Sequence, residues 1–309
     1  MAPSEPLFIG SDITRPDWVS LTSSGVVLPY IDIGVLIEHL DVRFADGRVR
    51  VDLTGSLPVS AAGIWYSPGS LDVLAAHIVE DDTELRFLHR QVETAILFLE
   101  FWIGAEYPVI DRPELQRRWS NKAVQLAKLA THLPDHLIET RLVSDPQRLR
   151  PGTIIKHASE SRAISRQESF FAQLLTEESL GEMRGGERVP MLVQRRIVVE
   201  AEHRTFYFSG ETCTVELPTA AEAVVVDIQY RPEQIAQAVV VPDRIDHDIL
   251  RRISTAFGLN FFAVDYMIDR SVPRILEVNP HFSWAWLPQD CVVGIVEAFT
   301  RYLHRSAVH

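Results

Sequence analysis

The chain has 309 residues, 46% of them hydrophobic and 23% charged, an ordinary balance for a globular protein and long enough for two or three lobes. A formal charge of −12 argues against nucleic acid or an anionic membrane as the main partner, but leaves room for a local basic site that takes phosphates. Cys213 and Cys291 form no CxxC pair, which argues against a disulfide framework or a cysteine zinc site.

The N-terminus carries Pro, Ser and Glu where a signal peptide needs a basic region, so no export signal is expected. The longest apolar stretch, Ala95 to Gly104, is too short to span a bilayer and contains Glu100, so it predicts a buried amphipathic helix. The expected location is the cytoplasm. In the first lobe Leu7-Phe8-Ile9-Gly10 predicts a strand, and residues Ile31 to Leu40 mix strand and helix signals. Val49 to Leu53 alternates, and Gly63-Ile64-Trp65-Tyr66 is a short apolar run. Leu85, Leu88, Val92, Ile96 and Leu99 recur at three- and four-residue spacing and predict a helix from Asp82 to about Ile103.

After the connector at Asp111-Arg112-Pro113, Ser120-Asn121 caps a helix from Lys122 to about Thr131. Thr153 to His157 predicts a strand, and the polar stretch from Ala158 to Gly186 predicts a loop with a short helix. A second β-rich lobe is expected from Met191, with a hairpin of Arg204–Phe208 and Thr212–Leu217 around Ser209-Gly210. Asp246 to Phe257 is an amphipathic helix stopped by Gly258, and a last helix is expected from about Cys291 to Leu303.

Between those two helices lie the apolar runs Phe261–Asp265 and Ile275–Pro280. A hairpin centred near Ser271 puts Asp265 opposite Glu277, with Cβ atoms about 5 Å apart. Asn279, two residues on, projects from the same face. Two carboxylates and an amide oxygen, with water and phosphate completing the shell, suit Mg²⁺, and the arrangement points to an ATP-dependent enzyme. Lysine usage adds to this, because only Lys122, Lys128 and Lys156 are lysines among 30 basic residues.

Other features carry less. His132 and His136 are separated by Pro134 and share no helix face, and Asp246-His247-Asp248 reads as a helix N-terminus. The group Arg184, Arg188, Arg195 and Arg196 has two readings, a phosphate or acidic-substrate site and a solubilising surface. No GxGxxG, Walker-type loop or GxSxG elbow is present.

The succession of motifs from about residue 60 to 290 resembles the ATP-grasp superfamily, in particular its RimK-like and graspetide (ribosomal peptide maturase) ligases. The resemblance is carried by Ile64-Trp65-Tyr66, by Trp119-Ser120-Asn121-Lys122 with Gln125-Leu126-Ala127, and by Ile155-Lys156. It continues through Val193-Gln194-Arg195-Arg196-Ile197, Glu202-His203-Arg204, Leu259 to Asp265, and Leu276-Glu277-Val278-Asn279-Pro280.

It implies an α/β ATP-grasp fold: an N-terminal pre-grasp domain over residues 1–115, a central grasp lobe over 116–190, and a C-terminal grasp lobe with the metal site over 191–309. It implies ATP and two Mg²⁺ ions held by Asp265, Glu277 and Asn279, with Lys122 and Lys156 on the phosphates. Gln194, Arg195, Arg196 and Ile197 would read adenine through their backbone, with Ile197 and Leu276 as apolar walls and Glu202 on the ribose. Arg204 and Lys156 would be the catalytic cations, Arg204 facing the γ-phosphate.

The activity implied is ATP-dependent joining of a carboxylate to an amine or hydroxyl through an acyl phosphate, on a precursor peptide. Two alternatives stand beside it: a small-molecule carboxylate–amine ligase, and a nucleotide- or peptide-binding protein without chemistry. His281, Ser283, Trp284 and the nearby Trp286 fall where an acceptor pocket is expected. A homodimer is compatible with the resemblance, although nothing in these residues indicates one. Two departures bear on substrate: Ser67-Pro68-Gly69 stands where peptide maturases carry arginines, and Asp227-Ile228-Gln229 where they carry Asp-Trp-Arg.

Overall fold

The computed structural model describes residues 7–11, 14–45, 48–52, 64–67, 86–156, 172–183, 190–219 and 232–306. The expected loop of 158–171, Arg184, Arg188 and Asp227–Gln229 lie outside the described residues. The chain divides into two units, residues 1–116 with 281–285, and residues 117–280 with 286–309.

In the first unit, β1 (Leu7–Gly10), α1 (Arg15–Ser23), β2 (Tyr30–Asp32), α2 (Ile33–Glu38), β3 (Asp41–Ala45), β4 (Arg48–Asp52), β5 (Ile64–Tyr66) and α3 (Arg86–Glu106) follow in order. A three-stranded parallel sheet runs β2-β1-β5, and β3 pairs with β4 as a hairpin. The ambiguous segment 31–40 is both things in turn: a short strand, then a helix capped by Asp32, whose Oδ1 accepts from Gly34 N at 2.7 Å. Leu7, Ile9, Ile33, Leu36, Ile64 and Tyr66 pack with Ile96, Leu99 and Ile103 of α3. The helical period predicted this packing. Glu100, within the apolar stretch, accepts the buried Tyr66 hydroxyl at 2.8 Å, so a carboxylate is tolerated on a core-facing helix.

α4 (Pro113–Trp119) leads into the second unit and α5 (Lys122–His132). There β6 (Thr140–Val143), β7 (Thr153–Lys156), β8 (Gln173–Leu174) and β9 (Met191–Arg195) form an antiparallel sheet in the order β6-β9-β7-β8. α6 (Glu177–Met183) brings Leu180 onto one face, against Val143, Leu149, Ile155 and Val193. This moves the lobe boundary expected at residue 190. β9 hydrogen-bonds to both β6 and β7, so the central sheet includes Met191–Arg195, and the next lobe starts after it.

That next sheet contains β10 (Ala201–Phe208), β11 (Glu211–Pro218), β12 (Val239–Val241), β13 (Phe261–Asp269) and β14 (Val272–Asn279) in the order β12-β11-β10-β13-β14. Between strands run α7 (Pro232–Ile235) and α8 (His247–Phe257), and α9 (Gln289–Ser306) ends the described chain. α8 buries Ile249, Leu250, Ile253 and Phe257 and stops at Gly258, whose φ of 68° is left-handed. At one end of the sheet Phe208, Phe261 and Phe299 meet edge to face.

Candidate active site

The β13–β14 hairpin pairs Asp265 with Glu277, by a route different from the one expected. The turn is not centred on Ser271. Asp269 pairs with Val272 across the two-residue turn Arg270-Ser271, whose φ values of 52° and 68° are those of a type I′ turn. Continued without interruption, that register would put Leu276 opposite Asp265. A bulge between Asp265 and Tyr266 shifts it by one residue, so Ile275 pairs with Tyr266 and Glu277 with Asp265. Leu276 is the extra residue, and the bulge turns Glu277 and Asn279 onto the face of Asp265.

β10 lies on the other side of β13, with Arg204 opposite Asp265. Arg204 grips that carboxylate in a fork, Nε to Oδ1 and an Nη to Oδ2, both at 2.6 Å, and both residues are buried. Asn279 donates its amide to Oδ2 of Asp265 at 2.8 Å. The guanidinium carbon of Arg204 sits 5.3 Å from the centre of the Trp286 ring, a cation–π contact that rigidifies the fork.

Lys122 comes from the N-terminus of α5, and its Nζ lies 2.5 Å from Oε2 of Glu277. Its placement depends on Gln125, one turn further on. The Gln125 side chain donates to Val278 O at 2.7 Å and accepts from Val278 N at 3.0 Å, pairing with the edge of β14 as another strand would. It also donates to the carbonyl of Trp119, whose indole donates to Phe257 O at 2.6 Å. Asn121 caps the helix by accepting from Val124 N at 3.1 Å. Helix, strand edge and the end of α8 are thus fixed together beside Glu277.

The two sheets contribute one more pair. Burial pushes the Glu202 carboxyl up to about 8, reinforced by Asp265 and Glu277 and opposed by Lys156 and Arg204. Lys156 of the central sheet therefore acts on the same cluster. Burial alone would lower Arg204, but Asp265, Glu277 and Glu202 outweigh it and raise its pKa. Three cations, Lys122, Lys156 and Arg204, face three carboxyls, Glu202, Asp265 and Glu277.

The donor set fits Mg²⁺ in a particular way. Among the described residues no three His, Cys, Asp or Glu side chains gather into a self-sufficient metal cage. Two carboxylates and the carbonyl oxygen left to Asn279 form a partial shell of hard oxygens, the kind Mg²⁺ completes with water and substrate phosphate.

The remaining expected residues separate by face. Gln194 is buried and donates to Thr140 Oγ1 at 3.1 Å. It is opposite Ile154, two residue pairs from Lys156, and so shares the Lys156 face. The Arg195 side chain takes the other face and pairs with Asp269 at 3.3 Å, so any part it has in a nucleotide site is through its backbone. Arg196, Ile197 and Leu276 are half-buried.

Ser283 and Trp284 correct an expectation. The segment His281–Ala285 belongs to the first unit. There Oδ1 of Asp17 accepts from Ser283 Oγ at 3.1 Å, Trp284 N at 2.9 Å and Ala285 N at 2.8 Å. Trp284 is fully buried against Trp65 and Phe282. Its indole is core, and the Ser283 hydroxyl is committed to a structural carboxylate, so neither forms an acceptor wall. His281 is half-buried.

Sequence reasoning named Gln125 only as part of a motif and Trp286 only beside an expected acceptor pocket, so it missed the holding roles of both, and it missed Asp17 altogether. A glutamine on the apolar side of an amphipathic helix was the available signal for the first. The other two depend on tertiary contacts with no local pattern.

No protein-family model matches the chain, and no curated protein matches it. Solved structures do. The macrocyclase MdnC of Microcystis aeruginosa, bound with precursor peptide MdnA, superposes with a TM-score of 0.69 at 17% identity, over 95% of this chain and 98% of that one. A RiPP-associated ATP-grasp ligase of Chryseobacterium gregarium, in complex with ADP and a leader and core peptide, gives 0.68 at 15% identity over 96% of each chain. The D-cycloserine synthetase DcsG gives 0.55 at 14% identity over 96% of this chain and 99% of that one. The chain has the ATP-grasp fold.

Proposed function

We propose that the protein is an ATP- and Mg²⁺-dependent ligase that activates a carboxylate as an acyl phosphate and joins it to an amine or hydroxyl of a ribosomally made peptide. The observation that carries this reading is the Arg204–Asp265–Glu277–Lys122 row, with Asn279 and Lys156 beside it, on an ATP-grasp fold. Phosphoryl transfer to a carboxylate brings negative oxygens together, so the site must supply fixed positive charge where they meet. Lys122 and Lys156 supply flexible point charges for the phosphate chain. Arg204 is a rigid fork, and Trp286 and Asp265 hold it in place.

Asp265, Glu277 and Asn279 would hold the magnesium, whose chemistry is to neutralise phosphate oxygens. The carboxylate oxygen attacks the γ-phosphorus, the bond to the β-phosphate bridging oxygen breaks, and ADP leaves. The nucleophile then adds to the acyl carbon and phosphate departs, with one proton lost from the nucleophile. Gln194 and the hinge after it would line the adenine subsite.

The likeness to MdnC and to the Chryseobacterium ligase, both solved with peptide, supports a peptide substrate over a small molecule. The likeness to DcsG, with its lower TM-score, supports the small-molecule alternative. Among the described residues no helix is long and apolar enough to cross a membrane. This agrees with a cytoplasmic enzyme, as we propose. The homodimer stays a proposal to be read from solution mass.

The test is ADP release with candidate precursor peptides and small carboxylates, wild type against Glu277→Gln. Peptide-stimulated ADP formation that the variant abolishes is expected. Undiminished substrate-dependent turnover in Glu277→Gln would refute the metal role, and stimulation by small carboxylates alone would replace the peptide reading.

A further inference from the structure

From the charge and shape of a pocket on the central sheet we infer that the face opposite Lys156 binds a phosphate or diphosphate group, at a site that adjoins the ATP clamp and does not use its lysines. The pocket has a volume of about 230 Å³ and its lining includes Arg141, Arg148, Arg150, Arg195 and Arg196, with Gln194 beside them and Glu139 as the one carboxylate among the described residues. Strand register fixes its side of the sheet. Arg141 is opposite Val193, and Thr153 opposite Arg195. These share the face of Ile155 and Val193, which carries the packed core beneath α6. The Lys156 side chain projects from the other face, and Gln194, which also lines this pocket, lies where the pocket adjoins the clamp.

The arginines are presented by ordered backbone. Asp145 caps the short 3₁₀ turn Pro146–Arg148 by accepting from Gln147 N at 3.1 Å. Thr153 Oγ1 donates to Arg150 O at 2.7 Å, and the Arg150 guanidinium donates to the carbonyls of Gln147 and Leu149 at 3.1 and 2.9 Å. Those carbonyls hold Arg150 in place without neutralising it. Arg141 and Arg148 are exposed and have no carboxylate partner among the described residues.

Setting Arg196 aside, four guanidinium groups stand against Glu139 and the Asp269 carboxylate behind Arg195. Among the described residues two positive charges remain uncompensated. In a chain of formal charge −12, such a cluster repels itself and attracts a compact polyvalent anion. One side-chain carboxylate brings a single charge and satisfies one fork. A phosphate or diphosphate brings two or three charges and enough oxygens for several forks, and it fits the volume. The shared chemistry is a phosphoryl oxyanion, free or at the end of a nucleotide.

The test is calorimetric titration of the full chain with pyrophosphate in metal-free buffer, on wild type, Arg141→Ser/Arg148→Ser and Lys156→Met. Both arginines are exposed, so the double variant retains its fold, which its melting curve checks. Pyrophosphate binding is expected in wild type and in Lys156→Met, weakened at least about tenfold in the double arginine variant. It should also weaken as salt rises. Titrating ADP into Lys156→Met separates the sources: affinity matching pyrophosphate marks a nucleotide phosphate chain, and weaker affinity marks the free anion. No binding, binding unchanged in the arginine variant, or binding lost in Lys156→Met overturns the site. Preference for an oligoglutamate peptide over pyrophosphate overturns the ligand class. ADP formation by the arginine variant is read separately, so failure here is distinguishable from failure of the ligase reading.

Discussion

Gln125 offers the sharpest test of how the metal strand is held. Its side chain satisfies both the N–H and the C=O of Val278, a fully buried residue between Glu277 and Asn279. In Gln125→Ala both backbone groups lose their partner in a region closed to solvent. An orphaned buried group costs about 1–3 kcal/mol, so the pair predicts a loss of about 2–6 kcal/mol. Gln125→Glu keeps the oxygen that accepts from Val278 N but turns a buried carboxylate toward the carbonyls of Val278 and Trp119, so its cost should match or exceed that of the alanine variant. Urea unfolding followed by tryptophan fluorescence gives the stabilities, and ADP formation against magnesium concentration gives the functional effect. The magnesium requirement should rise in both variants, because Glu277 and Asn279, the proposed ligands, are released from their register. A Gln125→Ala stability within about 0.5 kcal/mol of wild type, the range of an ordinary surface substitution, would refute the edge-pairing argument. Lost stability with unchanged magnesium dependence would show that Gln125 does not position the ligands.

Three further outcomes follow from other parts of the molecule. Arg204→Lys keeps the charge and loses the fork on Asp265, so ADP formation should fall by about 10²–10³; a wild-type rate would remove Arg204 from the phosphate-facing role. Replacing Arg270-Ser271 by Asn-Gly relieves two left-handed residues and should raise stability by about 1–2 kcal/mol, seen as a higher urea midpoint; an unchanged or lower midpoint would contradict the turn assignment. Burial pushes the Asp17 carboxyl from 3.8 up to about 6, against hydrogen bonds from Trp284, Ser283 and Ala285. The folded state therefore holds that proton more tightly than the unfolded chain. Its contribution is complete below about pH 3.8 and is lost as pH rises through about 6, an effect of about 3 kcal/mol. Relative to Asp17→Asn, wild type should lose stability across that window, and a pH-independent difference would refute the shift.

The parts of the site legible in the sequence were those with a local signature. Lys156 stood out because lysine is rare in this chain and its strand is apolar. Lys122 followed directly on an Asn cap, and the acid–acid–amide spacing of Asp265, Glu277 and Asn279 marked one face of a hairpin. The register shows why the rest was hidden. The expectation placed Asp265 opposite Glu277 by assuming a turn centred on Ser271, and the chain reaches that pairing with a tighter turn and a bulge at Leu276. The two differ by one residue at the turn and cancel at the site, so alternation alone cannot tell them apart. β9 was assigned to the wrong lobe because a hinge motif marks where chain direction changes, and a strand leading into it carries no sign of which sheet it pairs with.

Arg204 shows what only three dimensions supply. Its sequence context makes it a cation near phosphates. The structure makes it the counter-charge of Asp265, the proposed metal ligand, since the fork and the Asn279 amide occupy both carboxylate oxygens. Asp265 and Glu277 cannot stay charged in a buried or half-buried setting without compensation; Arg204 and Lys122 provide it from two different elements, and Lys156 opposes the upward shift of Glu202. On the proposed function the same cations must serve the phosphate chain when nucleotide binds. Magnesium held by Asp265, Glu277 and Asn279 would supply the positive charge those carboxylates need in the substrate complex. Charge balance in the protein alone and in its substrate complex is thus one design constraint. It explains why each carboxylate of the row has a flexible or forked cation within hydrogen-bond reach, where a water would satisfy its oxygens but leave its charge.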